Sequence, residues 1–329
     1  MRLFDRSILN IKPLRDRKHD LCLSIIKPLT SNSALGLAKR MLPICENIIQ
    51  AKERHKAVIL MIGGHVIRSG VQNYLIDLMK RGYISCIAMN GAGMIHDFEL
   101  ALIGATTENV SRYIKEGQFG LWQETGILND IINRAYAEND AIGMGEAVGR
   151  YIENQNLAHK SISILAWAYR LNIPVTVHVG IGYDIIHELP NCNGAATGGL
   201  SYNDFLRFVS VVQNLENGVV MNFGSSVMAP EVFLKALSMA RNAACERGGE
   251  IKHFTTLVCD LAKLPKIFKK EPPKDKVDYY FRPWKTMLVR TVADGGKSFY
   301  IRDSHANTFP ALWSGINRLE AKNGKNNRA

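Results

Sequence analysis

The sequence predicts an α/β fold with a central parallel sheet flanked by helices, and three observations predict it. An apolar run, Val58–Ile62, stops at Gly63-Gly64-His65 and is followed by Val71, Leu75, Leu78 and Met79 at helical spacing. A second apolar run, Ile84–Met89, stops at Asn90-Gly91-Ala92-Gly93, and a further helical pattern opens at His96-Asp97. Two more runs, VTVHVG and GVVMNFG, end in glycine at Gly180 and Gly224. Strand, glycine turn and helix in repetition are the mark of consecutive βαβ units, whose turns lie at the carboxyl ends of the strands, where open α/β sheets take ligands. Neither of the first two turns is G-x-G-x-x-G or carries the G-K-[ST] of a phosphate loop. The glycines therefore either admit a ligand to the backbone or only reverse the chain between strand and helix.

In chain order, residues 1–29 are weakly patterned, with Pro13 and Pro28 breaking any long helix, and read as an amino-terminal extension. Thr30-Ser31-Asn32-Ser33 offers a cap to a helix through Leu35, Ala38 and Met41. Beyond the first two units, Thr106 to Gln155 reads as helical with glycine interruptions. Thr106-Thr107-Glu108 offers a capping start there, and Ile127, Ile131, Ile132 and Ala135 share one face. Ser161–Leu171 reads as a buried helix before the strand VTVHVG, in which alternation places His178 beside Thr176 as a structural histidine. NCNGAATGGLSYNDF reads as a loop, with Ser201 or Asn203 capping the helix of Phe205, Phe208, Val209 and Val212. Pro230 suits the first turn of the helix PEVFLKALSMARN. Residues 30–316 form a single α/β domain on this reading. The final stretch, NRLEAKNGKNNRA (317–329), is polar, basic and without periodicity, which predicts a disordered tail.

Composition excludes several classes. A chain of 329 residues, 47% hydrophobic, can bury a large core. Its mean hydropathy is -0.06, and no apolar run approaches the roughly 20 residues of a membrane span. The first residues lack the apolar stretch of a secretory signal, so the expected location is cytoplasmic and no membrane partner is expected. Six scattered cysteines form no C-x-x-C pair; Cys45, Cys86 and Cys259 sit in apolar context and read as reduced core thiols, and no metal site is expected, Cys192 near His187 being too few ligands for zinc. The formal charge of +11 is concentrated between Lys263 and Arg290, where nine Lys/Arg face three acids. No aromatic-interleaved platform or DNA-binding motif accompanies that segment, so a solvated basic loop is expected in place of a nucleic-acid surface.

Several stretches resemble the deoxyhypusine synthase-like family in order and spacing. GGHVIRSGV stands at its first nucleotide-binding turn and AMNGAGMIHDFELAL at its second. SISILAWAYRLNIPV, GYDII, GVVMNFGSSVMAPEVFLKALSMARN and FYIRDSHANTFPAL continue the match across roughly residues 30–316. The resemblance implies a Rossmann-like sheet that binds NAD, with Gly63, Gly64, His65, Ser69, Asn90, Gly91, Ala92, Gly93, Gly180, Gly182, Asp303 and Ser304 at the cofactor. It also implies a homo-oligomer, a tetramer in that family, with active sites at subunit interfaces.

The same resemblance implies the chemistry: NAD-dependent oxidation of an amine, imine formation and aminobutyl-type transfer to a second amine, with a polyamine or related small amine as substrate. Asp184 matches an acidic residue that meets cofactor and amine, while Val179 replaces its companion. Glu231 falls in the region of the amine pocket, and Trp284-Lys285 resembles the family's W-x-K ending one residue short, without the serine-aspartate-glycine segment. Lys285 is thus either an imine-forming nucleophile, activated beside Trp284 and Arg282, or a lysine reaching solvent from a surface strand. Where the family has two glutamates this chain has Ile95-His96. His96, oriented by Asp97, is a candidate proton relay at neutral pH; alternatively His96-Asp97 is only a helix N-cap. The competing reading is a non-catalytic NAD-binding oligomeric protein that has lost the lysine site.

Overall fold

The computed structural model describes residues 2–30 and 35–326. Its amino-terminal segment makes three short 3-10 turns and the strand β1 (His19–Cys22). There follow α1 (Leu35–Glu53), β2 (Val58–Ile62), α2 (Gly64–Arg68), α3 (Gln72–Lys80), β3 (Cys86–Asn90), α4 (Gly91–Ile103), β4 (Ala105–Glu108), α5 (Val110–Lys115), α6 (Ile127–Glu138), α7 (Met144–Asn154) and α8 (Ile164–Arg170). The second half contains β5 (Val175–His178), α9 (Gly194–Val212), β6 (Val219–Phe223), α10 (Met228–Cys245), β7 (Thr255–Asp260), β8 (Lys297–Arg302) and α11 (His305–Asn326).

Six strands form one parallel sheet in the order β5-β3-β2-β6-β7-β8. Counted by their appearance within the sheet this is 3-2-1-4-5-6, the doubly wound Rossmann order, with the reversal between β2 and β6. Both faces are covered, so β2 and β6 are buried at every position. Leu60, Ile62, Met89 and Met221 face a core shared with α1, α3, α4, α7, α8 and α11. Their neighbours Ile59, Met61, Ala88 and Val220 face a second core with α9, α10 and a π-helix, Pro283–Val289. The alternation of the strand divides these sequence neighbours between the two layers.

Capping side chains move several expected boundaries. Asn90 accepts a hydrogen bond from Gly93 N at 3.1 Å, so α4 begins at Gly91 and His96-Asp97 lie inside it, not at its cap. Asn193 accepts from Ala195 N and Ala196 N, and the glycine-rich stretch expected as a loop is the start of α9. Thr106-Thr107-Glu108 is no helix start: it belongs to β4, which pairs antiparallel with β1, and Asn109 caps α5. Gly70, at φ +70°, ends α2 before α3 begins, and a Cβ there would collide with the Ile25 carbonyl. At the carboxyl end α11 runs to Asn326 across most of the stretch expected to be disordered. Arg81 binds Asn317 at 2.7 Å, and Arg81 and Tyr83 both reach Glu320, tertiary anchors that override the polar composition. Of the expected cap before α1, Ser31, Asn32 and Ser33 lie outside the described residues.

Candidate functional site

A cavity of about 260 Å³ opens at the carboxyl ends of β3 and β5, with Arg17, Arg68, His96, Thr107, Tyr183 and Asp184 in its walls. Larger grooves, about 460 Å³ between α6 and α7 and about 530 Å³ at the amino ends of β2 and β3, lie away from the strand ends that serve as ligand sites in such sheets. The antiparallel β1–β4 ribbon brings Arg17 and Thr107 to the cavity, α2 brings Arg68, and the loop after β5 brings Tyr183 and Asp184.

His96 is fixed by a chain of hydrogen bonds. The Thr106 hydroxyl donates to Glu99 Oε2 at 2.8 Å and lies 2.8 Å from His96 Nδ1. A hydroxyl has one proton to give, so with that proton on Glu99 it accepts from Nδ1–H, and Nε2 carries the lone pair. Glu99 is itself held by both guanidinium nitrogens of Arg17, at 2.9 and 2.8 Å, and by Thr125. Burial alone would raise the Glu99 carboxyl, but Arg17 and the two hydroxyls outweigh it and hold the group below its ordinary value. Burial pushes His96 down to about 4, aided by Arg68, Arg17 and His65 and opposed by Glu99. His96 is therefore neutral at pH 7 and does not titrate there, as its type alone would suggest.

Asp97 takes no part in orienting His96. Consecutive helical residues point to different faces, and Asp97 accepts from Ser163 Oγ (2.6 Å), Ile164 N (2.8 Å) and Leu165 N (3.2 Å), holding the amino terminus of α8. Asp184 stands instead at the amino terminus of α4. A Cβ on Gly91 would collide with its carboxylate, and the N–H groups of Gly180 and Ala92 favour its charged form. Burial outweighs them and raises it to about 7, and its Oδ2 has no hydrogen-bond partner. Thr107 is also without a partner at Oγ1 and sits at φ +63°, a conformation a β-branched residue rarely adopts. Strain of this kind is concentrated at ligand sites.

Of the other expected cofactor residues, Gly63 and Gly64 stand at the sheet's order reversal beside Gly224, whereas Gly180 and Gly182 follow the edge strand β5 and Asp303 and Ser304 follow the opposite edge strand β8. A Cβ on Gly63 would lie 2.7 Å from the Gly224 carbonyl oxygen, and one on Gly64 would lie 3.2 Å from both Ala92 and His96. Gly224, at φ +66°, backs onto the His305 ring, whose buried Nδ1 has no partner. Asp303 accepts from Ser304 N and Asn307 at the start of α11, and Ser69 Oγ donates to the His65 carbonyl within α2. Gly180 packs under the Tyr183 ring, and Gly182 turns at φ +97°. The Cβ space of these glycines is filled by protein neighbours, and the buried, unpartnered nitrogen of His305 is the feature here that a nicotinamide dinucleotide would fit. The fit does not extend to a glycine-loop phosphate cradle: α2 has only five residues, and Asp184 covers the first turn of α4.

Lys285, Trp284 and Glu231 are elsewhere. Lys285 is buried (3% exposed) in the π-helix, not on a surface strand, with Nζ 3.5 Å from the centre of the Tyr279 ring. Trp284 packs in the second core and donates to the Phe268 carbonyl, while Glu231 pairs with Lys235 and Arg282. None of the three lines the His96 cavity. Arg17, Arg68, Thr106 and Thr107 carry no local motif, and the Arg17–Glu99 pair joins residues 82 apart in sequence. Glu99, which the sequence groups with His96 and Asp97 at the end of a strand, is joined to His96 through the Thr106 hydroxyl.

No protein-family model matches the chain, and no curated protein matches it in sequence. Solved structures resemble it in fold. A conserved protein provisionally named LOR/SDH, from Methanococcus maripaludis S2, has 15% identity over 89% of this chain and 72% of its own, with a TM-score of 0.50. AgrE, solved as a ternary complex with ornithine and NAD+, has 12% identity over 88% of this chain and a TM-score of 0.51. This chain spans only 34% of AgrE. A protein from Entamoeba histolytica provisionally named a deoxyhypusine synthase has 10% identity over 86% of this chain and 88% of its own, with a TM-score of 0.48. At these identities the likeness is one of fold: an α/β protein with a Rossmann-like parallel sheet. No helix among the described residues is long and apolar enough to cross a membrane.

Proposed function

We propose that the protein is an NAD-dependent enzyme that oxidises a small amine, with Asp184 as proton acceptor and His96 as the group that orients the amine nitrogen. The observation that carries this reading is the unpartnered Asp184 Oδ2, buried over Gly91, about one helical turn along α4 from the locked His96. A carboxyl raised to about 7 is ionised near neutrality and still basic enough to take a proton, which an ordinary aspartate is not. Neutral His96 offers Nε2 as an acceptor to the amine N–H. The bound ammonium gives one proton to Asp184, the neighbouring C–H bond breaks with its electron pair leaving as hydride, and an iminium remains. NAD, when bound, supplies the hydride acceptor, and Gly63, His65, Gly224, Asp303, Ser304 and His305 are the residues that would hold it. AgrE, of which this chain spans 34%, was solved with ornithine and NAD+ and supports the reading to that extent.

A second amine adding to the iminium would complete the aminobutyl-type transfer that the family resemblance implies. Lys285 has no step in this scheme because it does not line the cavity. A homotetramer belongs to the same reading, and light scattering that returns a stable 36.7 kDa monomer removes that part of it. The central test titrates the protein with NAD by calorimetry and then follows NADH absorbance with a panel of polyamines and small amines. Amine-dependent NADH formation is expected, rising with pH to about 7 as Asp184 ionises. Absence of both NAD binding and amine-dependent reduction would overturn the proposal.

A further inference from the structure

We infer that the His96 cavity is built for a zwitterionic α-amino acid, its ammonium on Asp184 and its carboxylate on Arg68 and Thr107. The inference rests on the amine-oxidising reading of the same site and names its substrate class.

Several polar groups in the cavity wall are already engaged by the protein. Arg17 is consumed by Glu99 and His19. Glu108 accepts from Gly120 N (3.1 Å) and Trp122 Nε1 (2.9 Å), so its carboxylate is engaged. His96 has spent Nδ1–H on Thr106 and is uncharged. His96 Nε2 stays open as a neutral acceptor, and the Tyr183 hydroxyl is also unengaged among the described residues; three further groups are left. Asp184 Oδ2 is an acceptor with no donor, buried in a residue that is 4% exposed. Thr107 Oγ1 is a hydroxyl with no partner. Arg68, among the described residues, has no carboxylate partner, and its one polar neighbour is His65 Nε2 at 3.5 Å.

Their placement separates the charges. Gly64 lets α2 pack directly on Ala92 and His96 of α4, and Arg68 follows Gly64 by one turn on α2. The cation thus stands on the α2 wall and the free carboxylate at the amino end of α4, and both line the one cavity. A polyamine brings two or more cations and no anion; it would satisfy Asp184 and be repelled by Arg68. An α-amino acid satisfies both, and the arginine fork suits a carboxylate in particular. Thr107, held at φ +63° in β4, supplies a hydroxyl donor on the same wall as Arg17, and its strain is explained once that hydroxyl has a ligand to bind. A volume of about 260 Å³ accommodates one amino acid of moderate size.

The test pairs each amino acid with the amine left by loss of its carboxylate: L-lysine with 1,5-diaminopentane, L-leucine with 3-methylbutylamine and L-alanine with ethylamine. Calorimetric titrations of the full chain, with and without NAD, are expected to show at least one amino acid binding tenfold or more tightly than its own amine. Arg68→Met, at an exposed position that leaves the fold intact, should reduce that amino acid to the affinity of its amine. Thr107→Gly should weaken it several-fold while raising the melting temperature, because glycine relieves the strained backbone. An amine that binds as tightly as its amino acid, a preference that survives Arg68→Met, or no binding by any of the six overturns the inference. The NAD titration separates the two proposals. Loss of NAD binding with the amino-acid preference intact sinks the redox reading alone, and NADH formation driven by diamines but not amino acids sinks this inference alone.

Discussion

Asp97 and Asp184 are both buried aspartates facing the amino terminus of a helix, and they illustrate how one device serves two ends. Asp97 bonds the Ser163 hydroxyl and two backbone N–H groups of α8, and no oxygen is left over. Asp184 covers the first turn of α4 and keeps one oxygen without a partner at the edge of a cavity. Burial raises both, Asp97 to about 6 and Asp184 to about 7. The difference is that the first carboxylate is fully used by the protein while the second retains an unmet need. An unmet buried acceptor costs stability, and a ligand can repay it.

The largest expected effect comes from removing the charge of Asp184 alone. Asp184→Asn should lower amine oxidation by about a hundredfold to ten-thousandfold, the range of a lost general base, while stability stays within about 1 kcal/mol because no hydrogen bond reaches Oδ2. Full activity in Asp184→Asn would end its assignment as proton acceptor. Asp97→Ala should do the reverse. It strands two backbone N–H groups and the Ser163 hydroxyl at the start of α8, costing about 2–3 kcal/mol of unfolding free energy in urea melts, and the protein that remains folded should keep its ligand affinity. A tenfold loss of affinity in Asp97→Ala would place Asp97 in the site after all.

That contrast marks how far the sequence was legible. The strand-glycine-helix repetition disclosed the parallel sheet, because buried strands and their turns are written in contiguous residues. Asp184 was named through the family resemblance, on a glycine turn that is likewise contiguous in sequence. The pairing of His96 with Asp97 failed because adjacency in sequence is separation on a helix, where successive residues lie on different faces. Arg17 was missed because its contact with Glu99 exists only after β1 has crossed to β4, and the Thr106 link between Glu99 and His96 depends on a strand that the pattern reads as a helix cap. Lys285 carried a motif fragment, yet the chain places it in the second core, on the other side of the sheet from the α4 layer. Local pattern specifies elements; the convergence of side chains from distant elements is set by packing.

A smaller effect distinguishes the two carboxyls by pH. Both have folded-state values above the ordinary 3.8, so the folded chain binds these protons more tightly than the unfolded chain does. Each contribution to stability is therefore fullest below about pH 4 and is lost as pH rises, through about 6 for Asp97 and about 7 for Asp184. Urea melts across this range should show Asp184→Asn flattening the slope up to pH 7. Asp97→Ala should flatten it only up to about pH 6. Identical slopes for wild type and Asp184→Asn between pH 6 and 7 would mean that Asp184 is not held in its raised state.

The smallest expected change tests the contact on which the comparison depends. Gly91 stands in the first turn of α4 without a left-handed backbone, so alanine there is favoured as a helix former by about 0.5–1 kcal/mol. Its Cβ would nevertheless collide with the Asp184 carboxylate, the movable end of a side chain, which must swing away from the helix terminus. Gain and loss are of similar size, and Gly91→Ala alone should change stability little while lowering amine oxidation by displacing the proton acceptor. In an Asp184→Ala background the collision is gone, and Gly91→Ala should become stabilising by its full helix propensity. A double-mutant cycle measured by urea unfolding should therefore give a coupling of about 0.5–1 kcal/mol between the two positions. Additivity within about 0.3 kcal/mol, near the ordinary limit for residues that do not touch, would show that Asp184 does not lie over Gly91.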